Sequence, residues 1–391
     1  GNPQKILETT YTEPDHPEPE FPEPEDPAET LRRMLGRLNL CSKEYVVRQF
    51  DHEVQAGSVI KPLVGKYQDV ASDAAVTRPL LDSPEGIGLS HSLYPTYGDI
   101  DPYWMAACAI DTAIRNLVVV GTMPQRIALL DNFCWCSSDD PERLGQLKRA
   151  ARACYDFAVA YGTPFVSGKD SMYNDFKGFD EDDRPVKISV PPTLLISSLG
   201  ILEDVTQSVT LDAKMPGDRL YLLGTTRDEL GASEYYALMG EALQGERFIG
   251  KRVPTVEAEP NSRIYTALHQ AILEGQISAA ASLGLGGLAT AASKMALAGD
   301  LGMKIDLSEV ITEPGGLRAD RILYSESQGR ILVAVSPGNE EAFLALFEGL
   351  PCRLMGHIHE DAVFRVRGDG GAYLEEGLPK LREAYKKTLW W

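Results

Sequence analysis

The sequence predicts an α/β to α+β protein built from two units, and three observations carry that prediction. Apolar runs with strand character at 86–93, 126–135, 164–167 and 193–202 alternate with two long helical patterns. Each of those helices opens on Asp-Pro, at Asp101-Pro102 and Asp140-Pro141, where a carboxylate caps free amides and proline needs no donor. A Pro216-Gly217-Asp218 turn then leads into a second apolar run at 220–223.

Taken in order, residues 1–30 read as a disordered, acidic, proline-rich linker. They carry nine acidic side chains and one lysine, −8 of the chain's −19, and Pro14, Pro17, Pro19, Pro22 and Pro24 remove backbone donors. Order begins at Asp26-Pro27, the start of a helix carrying Leu31, Met34, Leu35 and Leu38. The two long helices should end near Gly121 and Gly162, closing a first unit over 31–205. The second unit spans 206–391. It holds a helical pattern at 288–298 behind Gly284-Leu285-Gly286-Gly287 and a charged helix over 374–391 that ends on Leu-Trp-Trp. A chain opening on a linker implies that something precedes it.

Composition excludes several classes. With 391 residues and 43% hydrophobic content, the chain fills substantial cores. No apolar run approaches the roughly 18 residues of a membrane span, and the amino terminus lacks the basic-then-apolar pattern of a secretory signal. The expectation is a soluble cytoplasmic protein. Six scattered cysteines lack zinc-site spacing and read as reduced thiols. An acidic chain without clustered Lys and Arg is a poor nucleic-acid binder.

Candidate chemistry lies in the first unit. Asp111, Thr112, Arg115 and Asn116 interrupt an apolar helix; Asp111 and Arg115 share one face, Thr112 and Asn116 another. On spacing alone an internal i,i+4 ion pair with a solvated stripe is the favoured reading and a site the alternative. Asp131 stands where an aliphatic strand reads as ending, a usual ligand position in α/β sheets, although a surface turn fits equally. Gly168-Lys169-Asp170-Ser171 follows another apparent strand end. It is not a phosphate loop, because Thr163 and Asp170 stand where that motif needs glycine and a hydroxyl; either a nucleotide contact or a polar turn remains. His357 and His359 alternate on a strand without a third ligand, Cys134 and Cys136 read as core or rim, and Ser233 reads as a helix cap.

Six segments, in order, add a resemblance: FDHEVQAGSVIKPLVG (50–65), SDAAVTRPL (72–80), YGDIDPYWMAACAID (97–111), ALLDNFCW (128–135), YGTPFVSGKDSMYN (161–174) and ESQGR (326–330). Together they resemble the second half of phosphoribosylformylglycinamidine synthase. The resemblance implies an aminoimidazole ribonucleotide synthetase-like unit: an amino-terminal mixed-sheet domain that pairs with a pseudo-symmetric partner, and a carboxy-terminal α/β domain. It implies an ATP-dependent carbon–nitrogen ligase of purine biosynthesis, with ATP and Mg²⁺ as cofactors. Phosphoryl transfer onto an amide oxygen gives ammonia a group to displace. Implied partners are the amino-terminal half of the same enzyme, in the same chain or as a separate subunit, and a glutamine amidotransferase subunit. A homodimer or pseudo-dimer is expected.

The resemblance assigns ATP contacts to Asp131 and Gly168, substrate contact to Ser171, and a place beside Mg²⁺ to position 169. Relatives often carry asparagine there; Lys169 cannot ligate a cation and suits a phosphate or an ion pair instead. The catalytic histidine belongs to the other half, so no catalytic residue is assigned here and the chain alone should be inactive. A degenerate auxiliary nucleotide site maps to Asp73, Thr112, Asn116 and Ser282. Two of its anionic ligands are missing, which predicts an empty auxiliary metal site. Two other classes stay open: a complete homodimeric enzyme using Asp73 and Asp131, and a non-catalytic scaffold.

Overall fold

The computed structural model describes residues 6–390. Two sheets dominate it. The first has six strands in the spatial order Ser58–Ile60, Ala75–Thr77, Gly86–Ser92, Thr193–Leu202, Ile127–Cys134 and Phe165–Ser171. Its pairs are antiparallel except the last, which is parallel. The second has seven strands, Ile277–Ser282, Ile331–Val335, Arg219–Leu223, Cys352–His359, Gly302–Asp306, Val363–Gly368 and Gly371–Gly377, with one parallel pair.

The predicted helix starts hold because capping is local. Asp101 accepts from the Tyr103 amide at 2.8 Å and opens the Pro102–Val118 helix. Asp140 accepts from Glu142 and Arg143 and opens the Pro141–Tyr161 helix, which closes on Gly162 in the left-handed region. Ser233 caps the Glu234–Gln244 helix through the Tyr236 amide. The Pro102–Val118 helix packs on one face of the six-stranded sheet. It is buried almost throughout, and its apolar residues belong to a core that also takes in the second sheet.

Along the first sheet, burial alternates as a half-covered sheet requires. Ile196, Ser198 and Gly200 face the helices, while Leu195, Ser197 and Leu199 face outward. Leu89 and Leu130 join that outer face, which no described element fully covers. Beyond it, the hairpin of Asp175–Phe179 and Pro185–Ser189 exposes Phe176, Phe179 and Ile188.

Three expectations need correction. The acidic segment, read as a solvated linker over 1–30, is extended over residues 6–25 but seated on the protein, and the 1–30 boundary cuts through the Pro27–Leu35 helix. Phe21 is buried against Tyr235, Tyr236 and Phe248, with ring centroids 5.6–5.9 Å away, and Glu18 accepts from the Tyr236 hydroxyl and the Lys251 amide, both at 2.7 Å. Proline and charge dictate the extended backbone; the two aromatics among them, Phe21 and Tyr11 under the Arg149 guanidinium, decide the docking. Leu38 lies past that first helix and is exposed, unlike Leu31, Met34 and Leu35. The final helix spans Leu378–Lys387 only, since Gly371–Gly377 forms the outermost strand.

Candidate functional site

The sequence placed Asp131 and Gly168 at strand ends, and the structure places them mid-strand. Ile127–Cys134 runs on past Asp131, and Phe165–Ser171 includes Gly168, Lys169 and Ser171. In register, Asp131 pairs with Gly168, Asn132 with Lys169 and Cys134 with Ser171. Because neighbouring residues point to opposite faces, the four candidates split into two pairs. Asp131 lies on the helix side: it is the cross-strand partner of buried Ile196, and its charge adds to burial in pushing the Cys154 thiol up to about 12. A Cβ on Gly168 would sit 2.3 Å from Asp131 Oδ1, so glycine here allows the carboxylate's close approach. Burial raises the Asp131 pKa, and the Asp170 carboxylate pushes the same way.

On the outer face, Lys169 donates through Nζ to Ser171 Oγ. Both are beside Asn132, whose Oδ1 is buried and unpartnered. A cation and a hydroxyl on the edge strand and an amide on its neighbour therefore sit together on the uncovered sheet face. The arrangement suits contact with an anion shared with whatever covers that face.

The auxiliary-site residues behave differently: Asp73, Thr112, Asn116 and Ser282 all line one cavity of about 250 Å³. Tyr94, Thr290 and Lys294 line it too. Asp73 Oδ2 accepts from the Ser282 amide at 2.9 Å. Shielding from water raises the Asp73 pKa, opposed by Lys294, that amide and Arg115. Gly286 and Gly287 do not form an anion cradle. The Gly286 amide donates to Glu326 at 2.8 Å and the Gly287 amide to the Gly284 carbonyl at 3.0 Å. A Cβ on Gly286 would lie 2.2 Å from Thr290 Oγ1, so crowding explains that glycine.

Beneath this cavity the Asp111–Arg115 pair is real but not solvated, for neither side chain has any exposure. Asp111 accepts from Tyr265, Asn261 and Tyr161 at 2.5–2.9 Å. Arg115 donates to Ser282 Oγ, Thr112 Oγ1, the Leu283 carbonyl and Gln328 Oε1 at 2.7–3.1 Å. The expected surface stripe is a buried network joining the helix to the second sheet. Glu326 lies close by, accepting from Tyr97, the Glu234 amide and the Gly286 amide; burial outweighs these donors and pushes its carboxyl up to about 7.

The donor set does not fit magnesium. Among the described residues no group of three or more His, Cys, Asp or Glu could hold a metal ion. His357 and His359 lie on one strand with ring centroids 4.2 Å apart and planes tilted by 55°, and no third ligand joins them among the described residues. Sequence reasoning missed Lys294 and Thr290 as lining residues. The available signal was a lone lysine four residues after a threonine in the apolar helix Gly287–Gly299.

Family comparison places both sheets. Residues 71–189 match the model of the AIR synthase related protein N-terminal domain, and residues 215–369 match that of its C-terminal domain. The chain belongs to the AIR synthase related family. Among curated relatives, the phosphoribosylformylglycinamidine synthase subunit PurL of Methanocaldococcus jannaschii is 37% identical over 317 residues, 81% of this chain and 40% of its own length. That of Methanothrix thermoacetophila is 32% identical over 368 residues, 91% of this chain and 44% of its own. The AIR synthase related chain thus spans less than half the length of these relatives. Among solved structures, Thermotoga maritima PurL complexed with FGAR superposes with a TM-score of 0.66 at 20% identity, over 90% of this chain and 52% of that one. The same T. maritima protein has been solved with ATP and within PurLQS.

Proposed function

We propose that this chain is one half of a PurL-type phosphoribosylformylglycinamidine synthase. In this reading it lends ATP- and substrate-contacting residues to a site completed by the other half, with its units meeting near residue 206. The observation that carries it is the pairing of an uncovered sheet face with Lys169, Ser171 and Asn132 along its edge. The match covers only 40% of the M. jannaschii relative's length, which leaves room for a companion half.

The assignments then divide by face. Ser171 and Lys169 lie where a partner's substrate would meet the sheet, Lys169 offering a charge-assisted hydrogen bond to a phosphate. Asp131 and Gly168 work from behind, the carboxylate held against the glycine backbone of the edge strand. When bound, ATP supplies the phosphoryl group that activates an amide oxygen; the chain's own residues orient and hold anions. In this reading magnesium's carboxylates come from the companion half, in keeping with the lack of any group of three or more His, Cys, Asp or Glu that could hold a metal among the described residues. An amidotransferase subunit would deliver ammonia, as the PurLQS assembly of the T. maritima protein supports.

The test is reconstitution. The chain is assayed with ATP, Mg²⁺, ammonia and formylglycinamide ribonucleotide, alone and with a separately expressed amino-terminal half. Turnover only in the mixture, lowered about tenfold to hundredfold by Ser171→Ala or Lys169→Met, is the expected result. Turnover by the chain alone favours the complete homodimeric enzyme. Tight assembly without turnover favours a scaffold.

A further inference from the structure

We propose that the outer face of the seven-stranded sheet binds a diphosphate group, free or borne on a small molecule, through Arg219, Lys304, Arg353 and Arg367. The site uses none of the residues assigned above and does not depend on the proposed function.

Register builds it. Arg219 stands opposite His357, and His357 opposite Lys304, so three adjacent strands put three basic side chains in one row on one face. Like charges directly opposite one another destabilise a sheet, and neighbouring strands lie only about 4.8 Å apart. His357 escapes the conflict by staying neutral: burial, then His359, Lys304 and Arg219, hold its pKa below the ordinary histidine value. Arg353 and Arg367 join the others around a groove of about 490 Å³. Four full positive charges line it against two carboxylates, Asp306 and Glu309, in a chain whose net charge is −19.

The fold leaves these cations unsatisfied. Lys304 makes no side-chain hydrogen bond or ion pair among the described residues. Arg219, Arg353 and Arg367 have only the carboxylates of Glu340, Glu309 and Asp306, at 3.8–3.9 Å, outside hydrogen-bond range. The Arg219 Nε is buried without a hydrogen-bond partner. Arg365, in register with Lys304 on the next strand, shows the contrast: it donates to Asp361 at 2.6 Å and to Glu375 at 3.3 Å. A sheet that pairs one cation closely and leaves four loose around a groove has the makings of an anion site. Guanidinium forks take phosphate oxygens in pairs, and cations from neighbouring strands reach both phosphates of a diphosphate.

The experiment is calorimetric titration of the full chain with inorganic pyrophosphate in EDTA and low salt, beside inorganic phosphate and hexaglutamate. Pyrophosphate should bind at least about tenfold more tightly than either. Lys304→Met and Arg353→Ala should each weaken it about tenfold, while Lys294→Met, in the other cavity, leaves it within about twofold. ADP binding that Arg353→Ala abolishes marks a borne diphosphate where it is tighter than pyrophosphate, and a free one where it is weaker. Without ligand, Lys304→Met should melt at the parent's temperature or above it, because a repulsive charge has gone; pyrophosphate should raise the parent's melting temperature far more than the variant's. No binding of pyrophosphate, or binding that both groove substitutions leave intact, overturns the proposal. Hexaglutamate binding more tightly than pyrophosphate gives the groove to an acidic segment of a partner and overturns the diphosphate. A lowered melting temperature in ligand-free Lys304→Met makes Lys304 a structural residue and overturns its assignment.

Discussion

The outer face around Lys169 and Ser171 and the cavity around Asp73 and Asn116 differ in how much of a site each contains. The first is a strip of an edge strand, exposed, with its four candidates divided between two faces. The second closes on itself, drawing residues from the strand-and-loop region near Asp73, the Pro102–Val118 helix and the second sheet. A surface that needs a partner carries its polar groups without internal support. A self-sufficient pocket is backed by buried hydrogen bonds that the fold itself requires.

That contrast breaks most sharply under substitution. Asp111→Ala strands the Arg115 guanidinium in the core and should cost about 3–5 kcal/mol in denaturant unfolding. A loss below about 1 kcal/mol would mean the network beneath the cavity is not structural. Next comes pH. The Glu326 carboxyl titrates near 7 folded and in the ordinary range unfolded, so the native state holds the extra proton between about pH 4.5 and 7. The stability this proton confers is full below the unfolded value and lost as pH rises through the folded one. The decline from pH 5 to 8 should reach roughly 2–4 kcal/mol, and Glu326→Gln should flatten it. An unchanged slope in that variant would assign the decline to another group.

Smaller still, Ser282→Ala removes one acceptor of Arg115 and should cost about 1–3 kcal/mol, read from the urea midpoint. At the bottom of the scale, Lys169→Met on the outer face should shift stability by no more than about 0.5 kcal/mol, even though it impairs the reconstituted enzyme. A large loss there would show that the edge strand is a structural element of this chain rather than a lent surface.

What the sequence made legible was local. Asp101, Asp140 and Ser233 announce helix starts because a cap needs only its next few residues. Thr193–Leu202 announces itself by apolar character. Asp131 and Gly168 misled because Lys169, Asp170 and Ser171 look like a turn; an edge strand with an open side tolerates them within the ladder. Asp111 and Arg115 misled for another reason. An i,i+4 pair has the same spacing whether water or protein surrounds it, and its partners Asn261, Tyr265, Ser282 and Gln328 arrive from at least 150 residues away. Thr112 and Asn116 stood out as polar breaks in an apolar helix, Asp73 and Ser282 were found only through family resemblance, and Lys294 was found by neither route. Its place follows from how the Gly287–Gly299 and Pro102–Val118 helices both line the cavity.

The buried Asp111–Arg115 hub also bears on cooperativity. It links the central helix of one sheet to Ser282, Leu283 and Gln328 of the other, inside a continuous apolar core. Separating the sheets would strip this ion pair, carried whole on one helix, of its buried partners Ser282, Gln328, Asn261 and Tyr265, so a state with one sheet folded and the other melted is disfavoured. Heat should therefore melt both family domains in a single calorimetric transition, as one unit of inheritance and one unit of folding.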